Sequence, residues 1–150
     1  MCGIVGICHL NGKTVSPVQL RNMTDAIAHR GPDGQGQFIE GSIGFGHRRL
    51  SIIDLSPAGR QPMMDSAGDL IITYNGEIYN FGELRDQLGK LGYSFRTRCD
   101  TEVILYAWQE WGEACVEKFR GMFAFALYDK TREYLFLARD RLGIKPLFFS

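Results

Sequence analysis

Cys2 follows Met1 directly, at the head of the run Met1-Cys2-Gly3-Ile4-Val5-Gly6-Ile7. Removal of the methionine would leave a thiol and a free α-amine on one residue. An N-terminal nucleophile of that kind can be activated by its own amine in place of a histidine. A free α-amine titrates at about 7.7–8.0, so near neutral pH a useful share of it is unprotonated and able to accept the thiol proton. The same residue also reads as a small hydrophobe opening a buried strand, because free cysteine is often buried.

Three further places could carry chemistry. Asn75-Gly76 lies between apolar runs. Local sequence favours a plain hairpin turn there, since Asn-Gly is the strongest short-range hairpin signal. The functional reading is an oxyanion hole made of the Asn75 side-chain amide and the Gly76 N–H, with glycine allowing close approach to a tetrahedral intermediate. The two readings are compatible, because a tight turn fixes two donors. Arg49, in Gly46-His47-Arg48-Arg49-Leu50-Ser51, could clamp a carboxylate through its planar fork, or be a plain surface cation. Arg48 and Arg49 cannot both reach one carboxylate from a strand, because successive side chains face opposite sides. Asp100 could accept from a substrate ammonium or serve as a helix N-cap.

These residues must be held by regular elements. Gly3 to Cys8 is a short apolar run expected to form a buried strand, which would fix the chain start in a sheet, as catalysis by a terminal residue requires. Ser16-Pro17 predicts a helix start, with Leu20, Met23 and Ile27 at helical spacing. His29 to Gly34 reads as a loop, and Gln35 to Leu55 as two or three short strands ended by Ser56-Pro57-Ala58-Gly59. Leu70 to Tyr74 and Glu77 to Tyr79 read as strands around Asn75-Gly76. Asn80 is expected to cap a helix whose Phe81, Leu84, Leu88 and Leu91 face the core, with Gly92 as its stop. Tyr93 to Thr97 reads as a strand and Asp100 to Trp111 as a helix. Met122 to Asp129 and Tyr134 to Asp140 form an expected antiparallel pair around Lys130-Thr131-Arg132-Glu133. The apolar, strand-like Phe148-Phe149-Ser150 at the end suggests a piece cut from a longer chain. Many strands adjacent in sequence and about three helices argue for an α+β fold with largely antiparallel sheets.

Composition narrows the class. The 150 residues are 45% hydrophobic and 23% charged, with seventeen basic and seventeen acidic side chains and a formal net charge of zero. That is one ordinary globular domain, without a basic footprint for nucleic acid or anionic membrane. The longest apolar run, Met122 to Tyr128, is far short of the ~20 residues of a membrane helix, and no signal peptide is read. Cys2, Cys8, Cys99 and Cys115 contain no C-x-x-C pair, and His9, His29 and His47 are dispersed. Neither a disulfide framework nor a structural zinc site is expected, and the chain reads as cytoplasmic with reduced thiols.

Seven segments occur in order: Cys2-Gly3-Ile4-Val5-Gly6, His29-Arg30-Gly31-Pro32-Asp33, His47 to Asp54, Tyr74-Asn75-Gly76-Glu77-Ile78-Tyr79-Asn80, Asp100-Thr101-Glu102-Val103-Ile104, Gly121 to Ala126, and Ala138 to Leu147. Together they resemble the glutaminase domain of class II glutamine amidotransferases, of the asparagine synthetase type, over nearly the whole chain. The resemblance implies an N-terminal nucleophile hydrolase fold, a four-layer αββα sandwich of two antiparallel sheets. The implied reaction converts glutamine to glutamate and ammonia, with ammonia passed to a C-terminal, ATP- and Mg-dependent synthetase domain of the same chain. Carried over by position, Cys2 is the nucleophile, Asn75 and Gly76 the oxyanion hole, Arg49 the grip on the α-carboxylate, and Glu77 and Asp100 the holders of the α-ammonium. Arg30 would support the site from behind. Cys99 departs from the small hydroxyl residue expected before Asp100. No metal or organic cofactor is expected for this half-reaction. A homodimer is left open, as are a paralogue that aminates a sugar or other acceptor and a non-catalytic amino-acid-binding domain.

Overall fold

The computed structural model describes residues 2–50 and 59–150. Met1, the Ser51 to Asp54 part of the third motif, and the expected boundary at Ser56 to Ala58 lie outside the described residues.

The chain start is strand β1 (Gly3–Cys8), as its apolar run requires. Ser16 then caps α1 (Pro17–Ala26), its hydroxyl accepting from the Gln19 N–H and Pro17 filling the first turn. Strands β2 (Gly34–Glu40) and β3 (Ile43–Arg49) follow, then the two-residue β4 (Met63–Met64) and the long β5 (Leu70–Ile78). Helices α2 (Phe81–Lys90), α3 (Asp100–Trp111) and the short α4 (Cys115–Lys118) precede β6 (Gly121–Asp129) and β7 (Tyr134–Arg139).

One sheet has the order β1-β3-β2 and the other β4-β5-β6-β7, and every pairing within them is antiparallel. Helix α1 packs on β1, β2 and β3, while α3 packs on β5 with α2 against it. The two sheets face each other through β1, β3 and β5, with Ile43, Phe45, Ile71 and Ala126 between them. The layers are therefore helix, sheet, sheet, helix. The larger core lies under α2 and α3 and includes Ile72, Tyr74, Ile104, Trp108 and Phe125. Residues Asp100 to Trp108 of α3 are all buried, as expected of a helix covered on every side.

Several sequence expectations are corrected. Asn75-Gly76 is no hairpin turn: β5 runs unbroken, and all nine of its residues pair with β6, from Leu70↔Asp129 to Ile78↔Gly121. A long partner strand overrides a two-residue turn signal. Tyr93 to Thr97 is not a strand, because its main chain finds other acceptors: Glu102 takes the Arg96 and Thr97 N–H groups at 2.9 and 2.7 Å. The rings of Tyr93 and Phe95 pack on Tyr106. Asn80 occupies the cap position of α2, but its side chain makes no cap bond. It bridges instead to the Lys118 carbonyl and the Arg120 N–H. Leu91, expected in the core, is exposed at the helix end. Asp100 is the first residue of α3, and Cys99 holds the cap position. Phe148 to Ser150 forms no strand.

Candidate active site

Strand pairing decides what faces what. Gly3 lies opposite Arg48 and Ile4 opposite His47, so the next step along the ladder sets Cys2 against Arg49. The Arg48 guanidinium turns to the helix side, where it forms an ion pair with Asp25 and donates to the Thr24 carbonyl at 3.1 Å. Alternation along β3 then puts Arg49 on the face towards the second sheet, with Phe45 and His47. The two guanidinium groups thus leave β3 on opposite sides, as strand alternation requires.

Cys2 is half-buried. Its sulfur accepts from the Leu50 N–H at 3.4 Å and lies 3.6 Å from the Leu50 carbonyl, so β3 holds the side chain from both main-chain groups of one residue. Arg30 lies on the opposite side of β1: a Cβ built on Gly3 would come within 3.1 Å of the Arg30 Cβ.

A cavity of about 610 Å³ runs along β1, its lining including Cys2, Phe45, Thr73 and Asn75 together with Ile27 and Arg30 from the helix side; Arg49, Gly76, Glu77 and Asp100 are not among its lining residues. Asn75 is buried on β5, on the side of that strand from which the Thr73 hydroxyl donates to the Gly46 carbonyl at 3.3 Å. Cys2 and Asn75, which come from different sheets, both line this cavity. Gly76 has a second reason to be glycine. A Cβ there would strike the Met122 carbonyl oxygen and come within 2.7 Å of the Phe123 Cα, because β5 presses on β6 at that point.

The charged side of the site centres on Tyr74. Its hydroxyl donates to Asp100 Oδ2 at 2.6 Å, and the Ile78 N–H donates to the same oxygen at 3.0 Å. Burial of the Tyr74 hydroxyl, then the charges of Asp100, Glu77 and Cys2, raise its pKa well above the usual value. Asp100 is itself 4% exposed. Burial pushes its carboxyl pKa up, and the hydrogen bonds from Tyr74 and main-chain N–H groups oppose that rise.

Behind this group, His47 is buried and its Nε2 lies 3.2 Å from the Tyr74 carbonyl. Gln61 Oε1 accepts from the Tyr74 N–H at 2.7 Å, and its amide reaches the Thr101 hydroxyl at 3.3 Å. Tyr74, His47 and Gln61 were not candidates from sequence. Tyr74 adjoins Asn75 in its motif, which was the available signal, whereas Gln61 carries none. Cys99 packs against the Thr97 hydroxyl at 2.9 Å, and its thiol pKa is raised by burial. Among the described residues no group of three or more His, Cys, Asp and Glu side chains converges as a metal site would.

A family model described as "Glutamine amidotransferase domain" matches residues 1–150. The chain is 44% identical to asparagine synthetase [glutamine-hydrolyzing] 3 of Bacillus subtilis, over 100% of its own length and 25% of that protein. It is 45% identical to putative asparagine synthetase [glutamine-hydrolyzing] 2 of Methanocaldococcus jannaschii, over 99% of the chain and 32% of the relative. The chain thus spans about a fifth to a third of the relatives it matches. Among solved structures, the glutamine phosphoribosylpyrophosphate amidotransferase of B. subtilis superposes with a TM-score of 0.78 at 22% identity, covering 97% of this chain and 38% of that one. At that identity the likeness speaks to the fold.

Proposed function

The chain belongs to the glutamine amidotransferase domain family, and from that premise we propose that it hydrolyses glutamine to glutamate and ammonia through a thioester on Cys2. The observation that carries the reading is that Cys2 and Asn75, which come from different sheets, line one cavity, while the Tyr74 hydroxyl, one residue before Asn75, holds the Asp100 carboxylate.

In this mechanism the α-amine of Cys2, freed by removal of Met1, takes the thiol proton. The sulfur attacks the side-chain amide carbon of glutamine, and the charge that develops on oxygen is held by the Asn75 amide and the Gly76 N–H. The protonated amine returns its proton to the departing nitrogen, which leaves as ammonia. The amine then takes a proton from water as water adds to the thioester, and glutamate and the thiol are released. Arg49 would pair with the α-carboxylate, and Asp100 and Glu77 with the α-ammonium. Each of these steps is carried by protein groups.

The named relatives are asparagine synthetases, so we assign the ammonia to ATP-dependent amidation of aspartate, with ATP and Mg acting in a synthetase part of the longer protein. Glutamine-dependent ammonia release, followed in the parent and in Cys2→Ala, tests the hydrolysis. Loss of turnover with retained glutamine binding is expected, and turnover by Cys2→Ala overturns it. Activity should also track the fraction of molecules that begin at Cys2 by intact mass, and full activity with Met1 retained would refute the amine as base.

A further inference from the structure

We propose that Tyr74 is a positioning residue for substrate selection, its phenol orienting the Asp100 carboxylate so that the site accepts a ligand bearing an α-ammonium. The inference rests on the reading above, in which Asp100 receives that ammonium.

Geometry supports it from four directions. The hydroxyl reaches Asp100 Oδ2 at 2.6 Å, a short bond of the kind a carboxylate makes with an O–H donor. The ring is anchored in the core beneath α2 and α3, so the donor has a fixed origin. The main chain of Tyr74 is clamped on both sides, its carbonyl by His47 and its N–H by Gln61. Gln61 also reaches Thr101, the residue after Asp100, which ties the first turn of α3 to β5 a second time. Tyr74 therefore has little freedom to move away from Asp100, and Asp100 little freedom to rotate.

The chemistry follows from the burial of Asp100. An ionised carboxylate removed from water is destabilised unless donors surround it. The phenol is a donor that stays protonated, since burial and the neighbouring negative charges both disfavour its ionisation. It thus favours the anionic form of Asp100, and an anion is what an ammonium needs.

The test is Tyr74→Phe in the full-length protein, which keeps the ring in the core and removes one hydroxyl. Glutamine and an analogue lacking the α-amino group are compared as substrates. Loss of a hydrogen bond to a charged group should raise KM for glutamine by about tenfold, with kcat within about twofold and kcat/KM for the analogue unchanged. Asp100→Asn and the double variant complete the set. If Asp100 receives the ammonium, Asp100→Asn also penalises glutamine and spares the analogue, and adding Tyr74→Phe to it changes little further. Discrimination by Asp100→Asn without discrimination by Tyr74→Phe overturns the role of Tyr74. Absence of discrimination in Asp100→Asn overturns the underlying ammonium assignment instead. A thermal midpoint for each variant separates folding from recognition, and an equal loss on both substrates marks Tyr74 as a structural residue only.

Discussion

His47 Nε2 lies 3.2 Å from the carbonyl oxygen of Tyr74, and through this contact a side chain of β3 pins one sheet to the main chain of the other. A carbonyl only accepts, so the proton is on Nε2. Among the described residues Nδ1 is buried without a partner, and the ring is neutral. Burial, with the Arg49 charge in support, lowers its pKa to about 4 against the pull of the Tyr74 carbonyl.

An acid limb in stability follows. In the unfolded chain His47 titrates near 6.5 and in the folded protein near 4, so the unfolded state takes up the proton first. The group costs nothing above pH 6.5, and its penalty grows as pH falls to about 4, reaching about 3 kcal/mol. Urea unfolding of the parent and of His47→Gln between pH 7.5 and 4 should show a shallower loss in the variant. Parallel curves for the two proteins would refute the assignment.

Arg48 and Arg49 should separate cleanly. Arg48→Ala removes a partly exposed ion pair with Asp25, expected to cost less than about 1 kcal/mol of stability and to leave KM for glutamine unchanged. Arg49→Ala should raise KM by an amount corresponding to about 2–5 kcal/mol, the usual cost of leaving a desolvated charge unpaired. Steady-state kinetics decide, and an unchanged KM in Arg49→Ala rules out the carboxylate role.

The four thiols should react in two classes. Cys8 is exposed and Cys2 half-buried, whereas Cys99 and Cys115 are buried. Burial drives the Cys115 pKa up to about 12 and raises that of Cys99. Iodoacetamide should modify Cys2 and Cys8 in the folded protein and reach the other two only in urea. Glutamine should protect Cys2 and leave Cys8 reactive. Peptide mass mapping reads this directly, and equal protection of both thiols would count against Cys2 as the binding-site residue.

Asp140 should be a stability residue. Its carboxylate accepts from the main-chain N–H groups of Phe123, Ile144 and Lys145 at 3.1, 2.8 and 2.9 Å, fastening the turn after β7 to the edge of β6. Asp140→Ala strands three donors and is expected to cost about 2–4 kcal/mol. Asp140→Asn, which keeps one acceptor oxygen, should cost less. Urea midpoints test the order, and an Ala variant as stable as the parent would contradict it.

The residue types at the site, and the elements that carry most of them, were legible in the sequence. Strand β1, the Ser16 cap, helix α3 and the β6–β7 pair follow from local pattern, because hydrophobic period and capping chemistry act over a few residues. That Arg48 and Arg49 leave β3 on opposite sides also follows from strand alternation. What local pattern misjudged were segments whose hydrogen bonds go to distant partners. Asn75-Gly76 carries a turn signal that β6 overrides by pairing along the whole of β5. The run Tyr93 to Thr97 has strand-forming residues, yet Glu102 takes its N–H groups. Tyr74, His47 and Gln61 form their network across elements separated by up to 27 positions in sequence, and no local preference encodes which side chain a buried phenol will meet. Tertiary packing decides that choice, because a buried donor or acceptor must find a partner wherever the fold supplies one.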